Sequence, residues 1–195
     1  MEQVVMILNR HGRRLAALVQ ILAILVSAGG RGAAIAQSAA DGGWRTFRDP
    51  KLDFAFAYPA GWAARAGCHD SRACVAVSKD RQQSADHYTV ALQAFAGGLD
   101  RIATDKAGFQ NGPNGWMAGR FAGQPAKHIA GDGWHGLEAV VSCGISDTSG
   151  VHSAAGDCLW AVLSNGRKSV VIDTQGTVPI DDTIRRIVES VRFSN

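Results

Sequence analysis

The sequence predicts an α+β domain preceded by an export leader, and three observations carry the reading. Short runs with the two-residue apolar alternation of half-buried strands recur from Trp44 to Thr174. Two of them, Cys158–Ser164 and Arg167–Thr174, are joined by Asn165-Gly166, the strongest short hairpin signal, because both residues tolerate a positive φ. The chain then closes on a helical stripe: Ile180, Ile184, Ile187, Val188 and Val191 fall at i, i+4, i+7, i+8 and i+11.

The leader comes first. Arg10, Arg13 and Arg14 form a basic n-region, and Leu15–Val26 form an apolar run of about a dozen residues. Ala34-Ile35-Ala36 supplies a small-x-small site, so cleavage is expected after Ala36. The run falls short of the ~20 residues a spanning helix needs, so export and release to the periplasm or medium is expected, rather than an uncleaved anchor. Met1 and Met6 are both open as the start. The residues flanking Arg13-Arg14 fit a general secretory route better than a twin-arginine one. Position 37 is Gln and not Cys, which argues against a lipid anchor. The expected organisation is a signal peptide over 1–36, a lead-in over 37–43 and one α+β domain over 44–195, a length that builds a core without staples.

Charge and cysteine content narrow the class. Of 20 basic and 17 acidic residues the leader holds four and one, which leaves 16 of each in the mature chain. A neutral domain lacks the basic surplus of a nucleic-acid or anionic-membrane binder, so no nucleic-acid partner is expected, and membrane contact only during export. Cys68, Cys74, Cys143 and Cys158 all lie in the mature part, and an even count in an exported chain suggests disulfides. Four cysteines allow three connectivities. Cys68–Cys74 and Cys143–Cys158 are favoured because each pair brackets a polar, turn-rich segment. No Cys-x-x-Cys occurs, so neither a redox motif nor a zinc ribbon is signalled.

The elements follow in order. Trp44–Arg48 is a first strand, and Asp53–Tyr58 a second with Phe54, Phe56 and Tyr58 on one face. Pro59-Ala60-Gly61 turns the chain, Ala73–Ser78 is a short strand, and Asp80–Asp86 is a polar turn. His87–Ala96 is apolar on both sides, as a central strand would be. Leu99–Phe109 carries a weak helical stripe, and Asn111–Gly115 has loop chemistry. Three strands are expected at Trp116–Ala122, Gln124–Ala130 and Trp134–Ser142, and a polar loop at Gly144–Gly156. Asp181 or Asp182 caps the final helix.

Three segments together resemble a known family. Phe54-Ala55-Phe56-Ala57-Tyr58-Pro59-Ala60-Gly61-Trp62 resembles the F-x-Y-P-x-G-W opening of PsbP/Mog1/DcrB-like domains. Phe121-Ala122-Gly123-Gln124-Pro125-Ala126 resembles their G-x-P-A segment, and the hairpin around Asn165-Gly166 with the helix ending Val188-Glu189-Ser190-Val191-Arg192-Phe193 resembles their closing strand, helix and S-V-x-F. The resemblance covers roughly 44–195 and implies a curved antiparallel β-sheet with helices packed on it. It also implies a non-enzymatic accessory or binding role. It carries over no binding residue, and the paired cysteines lie outside its pattern.

The remaining signals are weighed by chemistry. Gly131-Asp132-Gly133-Trp134-His135-Gly136 spells G-x-G-x-x-G, but a strand-like segment follows where a dinucleotide site needs a helix, so a glycine-rich turn is expected and no cofactor. The mature histidines are His69, His87, His128, His135 and His152. His69, Asp70, His135 and His152 would suit zinc or copper if their loops converged, although no spacing supports this. No G-x-S-x-G elbow occurs, so a hydrolase is carried only as part of that alternative. Trp62 and Trp160 read as core or rim. Trp44, Trp116 and Trp134, beside glycine-rich turns, are candidates for a binding face, with burial the bland alternative for each. The expected function is an exported envelope accessory or binding module for an envelope protein or a small ligand, and such a role predicts a contiguous exposed apolar patch. The alternative is a metal-binding or hydrolytic periplasmic protein using the loop histidines.

Overall fold

The computed structural model describes residues 43–68, 71–80, 87–119, 123–147 and 150–194, with main chain alone over 144–147 and 150–155. The leader, residues 37–42 and most of the turn expected at Asp80–Asp86 lie outside the described residues. In chain order the elements are β1 (Trp44–Asp49), β2 (Phe54–Pro59), β3 (Ala63–Cys68), β4 (Ser71–Ser78) and β5 (Val90–Ala96). Then come α1 (Leu99–Lys106), β6 (Phe109–Gly112), β7 (Gly115–Ala118), β8 (Gln124–Pro125) and β9 (Lys127–Gly131). The chain finishes with β10 (Trp134–Asp147), β11 (Gly150–Ser164), β12 (Lys168–Thr174), α2 (Asp182–Glu189) and β13 (Arg192–Phe193). The fold is therefore sheet-rich, with two short helices, rather than an even mix of helix and strand.

Seven strands form the main sheet, in the order β3-β4-β5-β12-β11-β10-β9, and every pairing in it is antiparallel. Two small sheets, β1-β2-β13 and β6-β7-β8, accompany it. Strands inside the main sheet are apolar on both sides because both faces are covered. On one face Val75, Val77, Leu92, Leu159, Leu163 and Ile172 pack under α2 and the β1-β2 hairpin. On the other Leu137, Ala139, Val141 and Val162 pack under α1, β6 and β7. Val90, Ala91 and Leu92 are all fully buried, which is the central position that two apolar sides predict for β5.

The first covering layer is held by aromatics and by one helix. Phe47, Phe54, Phe56 and Tyr58 line one face of β1-β2, with adjacent ring centroids 5.3 to 6.1 Å apart. Asp181 caps α2, its carboxylate accepting from the Thr183 and Ile184 amides at 2.9 and 3.1 Å. Ile184, Ile187 and Val188 form the buried stripe. At the far end the Ser190 hydroxyl accepts from the Ala57 amide at 2.8 Å and donates to the Ile187 carbonyl at 2.7 Å. Strand β13 covers β2 only at Phe54 and Ala55, so Ser190 gives Ala57 a partner that the sheet does not provide. This bond joins the F-x-Y-P and S-V-x-F segments.

Several expectations shift. Strand β3 was not foreseen: Ala-rich Ala63–Cys68 lacks a strand pattern, and its pairing to β4 supplies the order instead. The helix expected over Leu99–Phe109 stops at Lys106, and Phe109 opens β6. The Asn111–Gly115 loop is the tip of a β6-β7 hairpin, closed by a Gly112–Gly115 pair. Trp116–Ala122 is strand only to Ala118 among the described residues, and Gln124–Ala130 is split into β8 and β9 at Ala126. Gly144–Gly156 is not a loop on its main chain, for β10 and β11 continue to pair as far as Asp147 and Gly150. At the β11-β12 turn the tight step lies one residue later than Asn-Gly predicts. Gly166, at φ +88°, takes the first central position, while the Asn165 side chain accepts the Arg167 and Lys168 amides at 3.0 and 2.9 Å.

Replacing Asp181 by Ala removes two bonds to amide donors at the start of α2. Urea unfolding should show a loss of about 1 kcal/mol, against 2–5 kcal/mol for Ile187→Ala in the core beneath it.

Candidate functional site

Both expected disulfides are present. Cys68–Cys74 closes the β3-β4 hairpin with Cα atoms 5.3 Å apart and is buried with Ala76, Tyr88 and Ala91. Cys143–Cys158 ties β10 to β11 with Cα atoms 5.5 Å apart. The second bridge stands where the two strands leave the main sheet. Strand β9 pairs β10 only as far as Glu138, and β12 pairs β11 only from Trp160 onwards. Beyond those points the β10-β11 ribbon runs on by itself among the described residues, and an isolated two-stranded ribbon is marginal in water. The bridge at its base offsets that weakness.

A cleft of about 520 Å³ opens at this corner. Val140 and Asp157 line it from the ribbon, the segment Gly176–Ile180 forms a second wall, and Arg185 of α2 a third. Val140 and Asp157 lie on the α2 side of the sheet, in step with Glu138 and Leu159. The lining is mixed: Val140, Val178, Pro179 and Ile180 are apolar, while Thr177, Asp157 and Arg185 are polar. Val140, at 38% exposure, is the one large exposed hydrophobic residue among the described ones. The apolar surface is thus a cleft, not the broad patch that the binding expectation called for.

Beside the cleft lies a buried acid. Glu138 is 5% exposed in an otherwise apolar stretch of β10. Its Oε1 accepts from Arg185 Nη1 at 2.8 Å and from Lys127 Nζ at 2.9 Å. The two cations come from α2 and β9, so one carboxylate ties three elements together. Its burial is tolerable because it is paired twice by charge-assisted bonds. The same contact holds the Arg185 side chain at the cleft wall.

The foreseen site residues are scattered. His69 and Asp70 lie outside the described residues. His135, exposed, pairs with Ser164 at the start of β10, whereas His152 pairs with Ile145 near the ribbon tip. Ten residues of strand separate them, roughly 33 Å, so these two do not converge on one ion. Of the tryptophans, Trp134 is 5% exposed and its indole N–H donates to the Val191 carbonyl at 2.9 Å, a core role. Trp44 packs against the first core with the Arg186 guanidinium 4.3 Å above its ring. Trp116 lies half-buried against the second core. Trp62 and Trp160 also pack on the two cores.

The G-x-G-x-x-G segment is the β9-β10 hairpin, with strand on both sides. Gly133 sits in its turn at φ +74°, the Trp134 indole lies where a Cβ on Gly131 would fall, and a Cβ on Gly136 would press on the Val162 carbonyl. Strand packing thus accounts for all three glycines.

The sequence reading missed the cleft. Its one legible trace was Glu138 inside Leu137–Val141, a charge where an apolar strand has none. Val178-Pro179-Ile180 and Arg185 gave no signal, because only the docking of α2 brings them to Val140.

Replacing Glu138 by Ala should cost about 2 kcal/mol in urea unfolding, because the acid's two charge-assisted bonds are lost. Lys127→Ala should cost under about 1 kcal/mol, since Lys127 is mostly exposed and Arg185 remains. Removing the Cys143–Cys158 bridge with a double Ser variant should cost on the order of 3 kcal/mol, and non-reducing peptide maps should show the two native pairs.

No family model matches the chain, and no curated protein matches it. Solved structures do match in fold. A crystal structure of a protein from Bacteroides thetaiotaomicron VPI-5482 aligns at a TM-score of 0.48 and 10% identity, over 77% of this chain and 48% of that one. The chain thus spans about half the length of the Bacteroides protein. The solution structure of cyanobacterial PsbP (CyanoP) from Synechocystis sp. PCC 6803 aligns at a TM-score of 0.44 and 16% identity, over 87% of this chain and 98% of that one. The chain is similar in fold to PsbP, the family its sequence motifs resemble.

Proposed function

We propose that this chain is an exported, non-enzymatic accessory or binding protein of the cell envelope, built on a curved PsbP/Mog1-like sheet and acting through a surface. The observation that carries the reading is the cleft between the β10-β11 ribbon, Gly176–Ile180 and α2. Its volume lies within the ~300–1,000 Å³ of small-ligand sites, and its lining has their usual mixture of apolar wall and few polar groups. Val140 gives it an exposed apolar contact, and Arg185, held by Glu138, gives it a fixed cation. A small ligand or a side chain inserted by an envelope protein would suit that lining.

Export is supported by the leader pattern and by two disulfides, which form and persist in oxidising compartments. Among the described residues no helix is long and apolar enough to cross a membrane.

The test is photo-crosslinking in the native envelope. A photoreactive residue at Thr177 should give one reproducible adduct, identified by mass spectrometry and lost when Val178→Asp is added. The same probe at Arg45, on the remote strand β1, should give none. Equal labelling from both positions, or an adduct indifferent to Val178→Asp, would sink the proposal.

A further inference from the structure

We infer that the outer edge of the β10-β11 ribbon is a self-association surface, on which a second copy of this chain pairs its own β10 antiparallel. This inference rests on the outward main chain of β10 and not on the cleft, although Val140 belongs to both.

The main-chain pattern shows which groups face outward. The β9-β10 hairpin has a two-residue turn, so its closing pair, Gly131 and Trp134, exchanges both bonds. Alternation then directs Gly136 and Glu138 towards β9, and Val140 and Ser142 in the same direction. The opposite side agrees: the Leu159 amide donates to Thr174 Oγ1 on the β12 side, which turns Cys158 and its partner Val141 towards each other. Among the described residues no strand pairs with β10 on that side beyond Glu138. Val140 and Ser142 therefore aim N–H and C=O groups outward along an edge that runs from Ala139 to Asp147, roughly 30 Å.

That edge lacks the usual protection. Native sheets blunt edges with lysine, proline, charge or bulges that turn them away. The far edge of this sheet, β3, carries Arg65. Strand β9 carries Lys127 and follows Pro125. From Ala139 to Ser146 the β10 edge has neither charge nor proline, and Val140 stands exposed on it. The extra residues of the irregularity between Cys143 and Ile145 belong to β11, where three residues stand against one of β10.

A second copy fits this edge by register. An antiparallel pair centred near Cys143 sets Ala139–Asp147 of one copy along Asp147–Ala139 of the other. Strand β9 flanks β10 only over Trp134–Glu138, so no residue from Ala139 to Asp147 already has β9 as its neighbour. Asp147 falls opposite Ala139 in register, so no like charges oppose each other.

The experiment is sedimentation equilibrium on the oxidised mature protein, joined to residue-resolved hydrogen exchange over a dilution series. The expected result is twice the chain mass at high concentration. Amides of Val140 and Ser142 should be protected there and exchange freely on dilution. Ser142→Pro removes an outward donor from each copy and should weaken the dimer about tenfold or more. Ser142→Lys, which leaves every β10-β11 bond intact, should weaken it too, with an unchanged circular dichroism spectrum in both. A monomer at every concentration would overturn the inference, whether its amides exchange freely or are covered from within the chain. A dimer of undiminished strength in both variants would also overturn it, placing the contact elsewhere.

Discussion

The main sheet is buried on both faces, and most of the structure follows from that constraint. Strands β5, β11 and β12 carry apolar residues on both sides, so neither face can be left to water. Each face must therefore recruit a layer. The β1-β2 hairpin and α2 serve one side, and α1 with β6 and β7 serves the other. These covers are small, two helices of eight residues each and short hairpins, so each needs specific attachment. Asp181 and Ser190 hold the two ends of α2, and Glu138 binds its middle to β10 and β9 through Arg185 and Lys127. Trp134 fixes the segment after the helix by donating to Val191.

The same constraint locates the candidate site. The main sheet narrows to the β10-β11 ribbon because β9 and β12 stop pairing at Glu138 and Trp160. Where α2 begins and the ribbon departs, an apolar surface is left partly open, with Val140 on one wall and Val178, Pro179 and Ile180 on another. A disulfide sits at this junction. A bridge closing a loop of this length contributes on the order of 3 kcal/mol, and here it lies where sheet neighbours no longer share the load.

Elements with strong local chemistry were legible in the sequence. Strand β2, the central place of β5, the β11-β12 hairpin, the α2 stripe and both disulfide pairs depend on patterns a few residues long. What was missed depends on distant partners. Strand β3 is Ala-rich and is ordered by β4, and the extension of β10 and β11 through a polar, glycine-containing stretch comes from their mutual pairing. The cleft was illegible for the same reason, since its walls are some 40 residues apart along the chain. His135 and His152 show the converse: residues of suitable chemistry, read as ligands only if their loops converged, stand at opposite ends of one hairpin. The tryptophans read as a binding face do other work, Trp134 inside the core and Trp44 beneath Arg186.

On the proposed reading, this corner is where the protein meets its ligand or partner. Chemical-shift mapping tests it most directly. Isotope-labelled protein spanning residues 37–195 would be titrated with fractionated envelope extract, and amide shifts followed across the chain. The account predicts that shifts concentrate on Val140, Gly176–Ile180 and Arg185. Shifts confined to the opposite end of the sheet, around the Asn165–Lys168 turn, would contradict it.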